Sequence, residues 1–128
     1  MKATRIRGRL RIENAAPDEF VEVLRTVAAA INTTPHPLRD LRIWLHLNGT
    51  SKASVRWLWW SSAPLPAYTE PLRRMKNGYY RLSVPHRNQL GYALDEAAAW
   101  ISEHGASEFY IYRDTFSGWW VVAIDAIA

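Results

Sequence analysis

With 128 residues the chain is long enough to bury a sizeable core and short for two ordinary domains, which predicts one domain. An apolar fraction of 48% with 22% charged residues excludes a disordered chain, and the lack of cysteine excludes disulfide and thiol chemistry. The net charge of +4 conceals an asymmetry: residues 1–94 hold 15 Lys and Arg against 6 Asp and Glu, whereas residues 95–128 hold 1 against 6.

The stretch TRIRGRLRIE, residues 4–13, alternates Ile6, Gly8, Leu10 and Ile12 with Arg5, Arg7, Arg9 and Arg11, the period of a half-buried strand. NAAPDEF then opens a helix, with Pro17 suited to its first turn and Asp18 and Glu19 facing the positive helix end. Phe20, Leu24, Val27 and Ile31 form its apolar stripe, and Pro35 and Pro37 end it. Leu41, Ile43, Leu45 and Leu47 alternate with Arg42, Trp44 and His46, after which NGTSK turns the chain into a returning strand, SVRWLWW. Residues 62–71 carry three prolines and read as a loop or a poorly paired edge.

RRMKNGYYRLSV centres on Asn77-Gly78, a strong hairpin signal. The second helix follows, with Leu90, Leu94, Ala97, Ala98 and Ile101 buried, Trp100 at the border of the stripe and Gly105 as its stop. The chain closes with a hairpin turning through residues 114–118. The expected class is therefore α+β: two βαββ-like units, residues about 3–61 and about 79–128, joined by a proline-rich connector at 62–76. Such units predict a pseudo-twofold repeat, a mostly antiparallel sheet with two helices on one face. If residues 70–76 add a strand to the first unit, its order becomes βαβββ. That order is similar to one module of the vicinal oxygen chelate proteins, a similarity of element order without the residue pattern of that family.

The sequence supports no enzymatic reading. His36, His46, His86 and His104 are scattered without ligand spacing, so no metal is expected, although His46 could meet a carboxylate of the second unit in space. There is no GxSxG elbow and no glycine-rich phosphate loop, and no cofactor is implied. Glu103-His104 suits a helix C-terminus, and Asp95-Glu96 suits a solvated helix side.

What stands out is arginine, 13 residues against 3 lysines, a ratio to which a GC-rich coding genome would also contribute. If the apolar set of the first strand faces the core, Arg5, Arg7, Arg9 and Arg11 share the other face at intervals of about 6.6 Å, near the spacing of phosphates along a nucleic acid. The same logic turns Arg42, Trp44 and His46 outward. VRWLWW is apolar on both sides and admits either register; one of them adds Arg56, Leu58 and Trp60 to the outer face. Guanidinium groups interleaved with indoles suit phosphate contact and base stacking. Arg5, Arg7, Arg9, Arg11, Arg42 and Arg56 are thus candidate phosphate contacts, with Trp44 and Trp60 as stacking groups.

Simpler accounts compete. The arginines could be a solvated side, a guard against edge aggregation, or partners of Glu108, Asp114 and Asp125. The seven tryptophans fit a core as well as a platform. The expected function is a non-enzymatic accessory protein that binds nucleic acid or a nucleoprotein complex. An acidic protein partner met by an inhibitor or immunity-type protein, a homodimer, and a small-ligand pocket between the units are alternatives. The N-terminal residues lack the apolar segment of a signal peptide and WWVVAI is too short to span a bilayer, so a cytoplasmic location is expected.

Overall fold

The computed structural model describes residues 1–46, 48–58, 65–68 and 70–125. Eight strands and two helices follow one another as β1 (Lys2–Ile6), β2 (Arg9–Ala15), α1 (Phe20–Thr33), β3 (Leu38–Leu45), β4 (Ser51–Trp57), β5 (Arg73–Arg74), β6 (Tyr80–Val84), α2 (Leu90–His104), β7 (Glu108–Arg113) and β8 (Trp120–Asp125). A short 3-10 turn leads into each helix, Pro17–Glu19 before α1 and Arg87–Gln89 before α2. The strands form two antiparallel sheets with orders β1-β2-β4-β3 and β5-β6-β8-β7. The two orders are superposable, and the βαββ grammar indeed occurs twice, each time preceded by one further strand.

Both helices form where the apolar stripes predict them. Phe20, Leu24, Val27 and Ile31 are buried on α1, as are Leu90, Leu94, Ala97, Ala98 and Ile101 on α2. Each helix packs on its own sheet, and the two pack against each other. Gly91 makes that seam close: a methyl group there would meet Asn32 Oδ1 at 2.1 Å and the Ala28 carbonyl at 3.1 Å. The inner sheet surfaces contribute Leu10, Ile12, Val55, Trp57, Leu82, Val84, Val122 and Ile124 to one buried cluster shared by both units. β3 and β7, each the last strand of its sheet, lie close to one another. The helix-free surfaces of the two sheets therefore adjoin, opposite the helix pair.

The expected strand at residues 4–13 is in fact a hairpin. Arg7 and Gly8 make the turn, Gly8 with φ +77°, a left-handed conformation that glycine adopts without the usual side-chain penalty. β1 folds back on β2 with Ile6 opposite Arg9 and Arg5 opposite Leu10. Further along β2 the register shifts between Ile12 and Ala15. Asn14 there has φ +52°, which asparagine tolerates better than most residues, and Ala15 is turned inward.

A second correction concerns the connector. Arg73–Arg74 pairs with β6, not with the first unit, so the βαβββ order of the vicinal oxygen chelate module does not arise. The strong turn at Asn77-Gly78 places the strand before it in the second sheet. Among the described residues no helix is long and apolar enough to cross a membrane.

Candidate nucleic-acid interface

In β4 the ambiguous register resolves cleanly. Ser51, Ala53, Val55 and Trp57 are buried beneath α1, which leaves Lys52, Ser54 and Arg56 on the helix-free face. Pairing fixes the neighbours of each. Arg56 lies between Arg9 on β2 and Asp40 on β3, Ser54 lies between Arg11 and Arg42, and Lys52 lies beside Trp44. Five cations (Arg9, Arg11, Arg42, Lys52 and Arg56) and two carboxylates, Glu13 and Asp40, line a shallow trough of about 530 Å³.

The trough is under-neutralised. Asp40 reaches Arg42 at 3.4 Å, an exposed pair of the kind that contributes little. Among the described residues no carboxylate pairs with Arg9, Arg11 or Arg56. Arg9 and Arg56 stand directly opposite each other, an arrangement of like charges that costs stability in a sheet. The ammonium of Lys52 sits 4.8 Å from the Trp44 ring centroid and props that indole on the face.

Of the residues expected there, Arg9, Arg11, Arg42, Trp44 and Arg56 come together, and Arg5 and Arg7 do not. The turn at Gly8 inverts the parity of the alternation, since residues opposite each other across a hairpin share a face. Arg5 therefore points to the helix side, where its guanidinium donates to Thr34 Oγ1 at 2.8 Å and covers the Trp57 ring at 5.2 Å. Arg7 is exposed in the turn itself, and Ile6 takes a place on the helix-free face at 61% exposure. Leu58 follows the end of β4, its N–H donating to the Pro37 carbonyl, and Trp60 lies outside the described residues. Within the trough Lys52 was not expected, although Lys52, Ser54 and Arg56 recur at the period of two that would reveal it.

The matching face of the second sheet is aromatic. Tyr110 and Tyr112 on β7 pair with Ala123 and Val121 on β8, and both rings are exposed, at 47% and 42%. Glu108 accepts from the Tyr79 hydroxyl at 2.6 Å and from the Tyr110 hydroxyl at 3.1 Å. Its carboxylate holds the proton on Tyr79, whose pKa is pushed up to about 12, and it raises that of Tyr110 in the same way. Asp114 accepts from the Phe116 N–H at 2.9 Å and from Arg81 at 3.1 Å, and these bonds hold its carboxyl below the usual carboxylate range. Asp125 accepts from the Ser107 hydroxyl. The carboxylates of the last hairpin thus engage their own sheet, not the arginines of the first.

The histidines have local roles. His86 Nδ1 accepts from the Asn88 N–H at the start of the second 3-10 turn, and the His104 ring stacks on Trp100 at 4.4 Å. His46 lines an open cleft of about 870 Å³ between the units with Asp18, Phe20, Leu45, Ile101 and Glu108. Among the described residues no three His, Asp or Glu side chains gather as a metal site. Comparison with protein-family models, curated proteins and solved structures finds no match to this chain, so the basic trough and the aromatic face beside it have to be interpreted from their own residues.

Proposed function

We propose that this protein binds nucleic acid through the helix-free face of its first sheet. Arg9, Arg11, Arg42, Lys52 and Arg56 contact phosphates and Trp44 offers a stacking surface. One observation carries the reading: Arg9 and Arg56 face each other across adjacent strands, and among the described residues neither forms an ion pair, Asp40 beside Arg56 reaching Arg42. A fold that tolerates this repulsion gains from an anion bound between the two guanidinium groups. Guanidinium is also the group best shaped for paired contacts to phosphate oxygens. Affinity for a polynucleotide is expected to fall linearly on a log–log plot against salt. With five cations engaged, the slope for a single strand approaches about −3.5. Fluorescence anisotropy at several salt concentrations measures it, and salt-independent retention or none at all would refute the proposal.

A second reading, a protein partner, is favoured by Phe116. This side chain is 100% exposed at the tip of the β7–β8 turn. Backbone bonds of 2.8 Å from Gly118 to Asp114 and from Asp114 to Trp119 hold the turn. An aromatic residue on a prearranged turn loses little freedom when buried, and such residues anchor interfaces. On that reading, Phe116→Ala weakens capture of the partner by about tenfold or more and leaves polynucleotide retention unchanged.

A further inference from the structure

We infer that the nucleic acid taken by this protein is single-stranded, with its bases laid on Trp44, Tyr110 and Tyr112 while its phosphates occupy the basic trough. The inference rests on the function proposed above and adds the class of strand. β3 and β7 adjoin. Trp44 projects from the helix-free face of β3, and Tyr110 and Tyr112 project from the corresponding face of β7. The tyrosines therefore stand on the strand next to β3, whose Arg42 and Trp44 line the trough.

The tyrosines have a form suited to stacking. Their partners on β8, Ala123 and Val121, are small and buried, while Tyr110 and Tyr112 keep 47% and 42% of their surface exposed. Two residues apart on one strand, they lie about 6.6 Å from each other, a separation that receives splayed bases one by one. The bonds from Tyr79 and Tyr110 to Glu108 hold the Tyr110 ring in place before any ligand arrives. Tyr79, Arg81, Tyr110 and Tyr112 also surround a hollow of about 140 Å³ beside these rings.

A duplex has no use for such groups, because its base faces are already stacked on one another. A single strand presents a charged edge and flat bases side by side, matching a cationic trough beside exposed rings. An acidic protein that covers both the trough and the tyrosines is the outcome in which none of the probes named below binds.

The test uses the full chain with three probes: an oligothymidylate of about 15 nucleotides, an abasic strand of equal length, and a duplex of the same length. The oligothymidylate is expected to bind about tenfold or more tightly than the abasic strand at equal salt. Tyr110→Ala with Tyr112→Ala should erase that advantage without changing the salt slope. Tyr110→Phe with Tyr112→Phe should keep most of it, because the rings remain although the bond from Tyr110 to Glu108 is lost. If the double alanine variant fails to fold by circular dichroism, Tyr112→Ala alone should lose part of the advantage. Equal binding of oligothymidylate and abasic strand, or a duplex bound as tightly as the single strand, would overturn the inference and leave the proposed function standing. Failure of all three probes to bind would remove both.

Discussion

Changing Arg9 and Arg56 together to glutamate is expected to weaken polynucleotide binding by about 100-fold or more at moderate salt. A hydrogen bond to a charged group contributes roughly 1.5–3 kcal/mol, so loss of two such contacts reaches that range before the added repulsion is counted. Stability should respond differently. The single change Arg9→Glu sets a carboxylate opposite Arg56 and converts a like-charge pair into an attractive one. Cross-strand pairs of opposite charge contribute about 0.2–1 kcal/mol, so this variant should unfold at a slightly higher urea concentration while binding more weakly. In the double variant the carboxylate at position 56 stands between the one at position 9 and Asp40, so it should unfold at a lower urea concentration than the wild type. A binding function and a packing function of Arg9 are thereby separated. If Arg9 served only to stabilise the sheet, its reversal would lower stability and leave binding untouched. Arg5→Glu serves as the contrast. It breaks the contacts to Thr34 and Trp57 on the helix side, so its effect should fall on stability more than on affinity.

The largest effect on stability is expected at the seam between the helices. Gly91→Leu should destabilise the protein by about 3 kcal/mol, the upper part of the usual range for overpacking. Even a methyl group at this position approaches the Ala28 carbonyl to 3.1 Å, and a longer side chain has no path past the α1 backbone. Because α1 and α2 each cover one sheet, forcing them apart also loosens both inner surfaces. Gly91→Ala makes a graded comparison. Alanine gains up to about 1 kcal/mol of helix propensity, while the Asn32 side chain must swing away and lose its 3.4 Å bond to Asp95. Its net effect should be much smaller than that of leucine. Urea denaturation with a constant m-value reads both, and equal midpoints for Gly91→Leu and the wild type would refute the tight seam.

Much of this architecture is written in local periodicity. The stripe Phe20, Leu24, Val27 and Ile31 specifies α1, and Leu90, Leu94, Ala97, Ala98 and Ile101 specify α2, because each set repeats at the helical pitch. Leu41, Ile43 and Leu45 mark the inner side of β3 and place Arg42 and Trp44 outside with no further information. Asn77-Gly78 marks a turn through its own backbone preferences. The alternation Phe109, Tyr110, Ile111 and Tyr112 carries the same kind of signal, although the exposed tyrosines were not among the residues expected from it.

The first arginines show where local reasoning stops. Alternation from Arg5 to Arg11 is compatible with one strand or with two strands folded at Gly8, and the two differ in which arginines share a face. Glycine permits a positive φ, but pairing with β4 decides whether the chain takes that turn. The register of β4 is likewise set from outside: the covering helix α1 selects Val55 and Trp57 for burial from a run apolar on both sides. Partner choice for Arg73–Arg74 also depends on a hydrogen-bond ladder formed between segments, not within one.

The sequence by itself therefore determines the α+β class, the two helices with their buried stripes, the repeat, and an excess of arginine on outward positions. Only the tertiary structure decides that Arg9, Arg11, Arg42, Lys52 and Arg56 converge while Arg5 and Arg7 leave them, and that β7 with its exposed tyrosines lies beside β3. The reason is physical. Hydrophobic periodicity acts within one segment and sets which side of it is buried, whereas strand pairing and helix docking join segments far apart in the chain and set which exposed residues become neighbours.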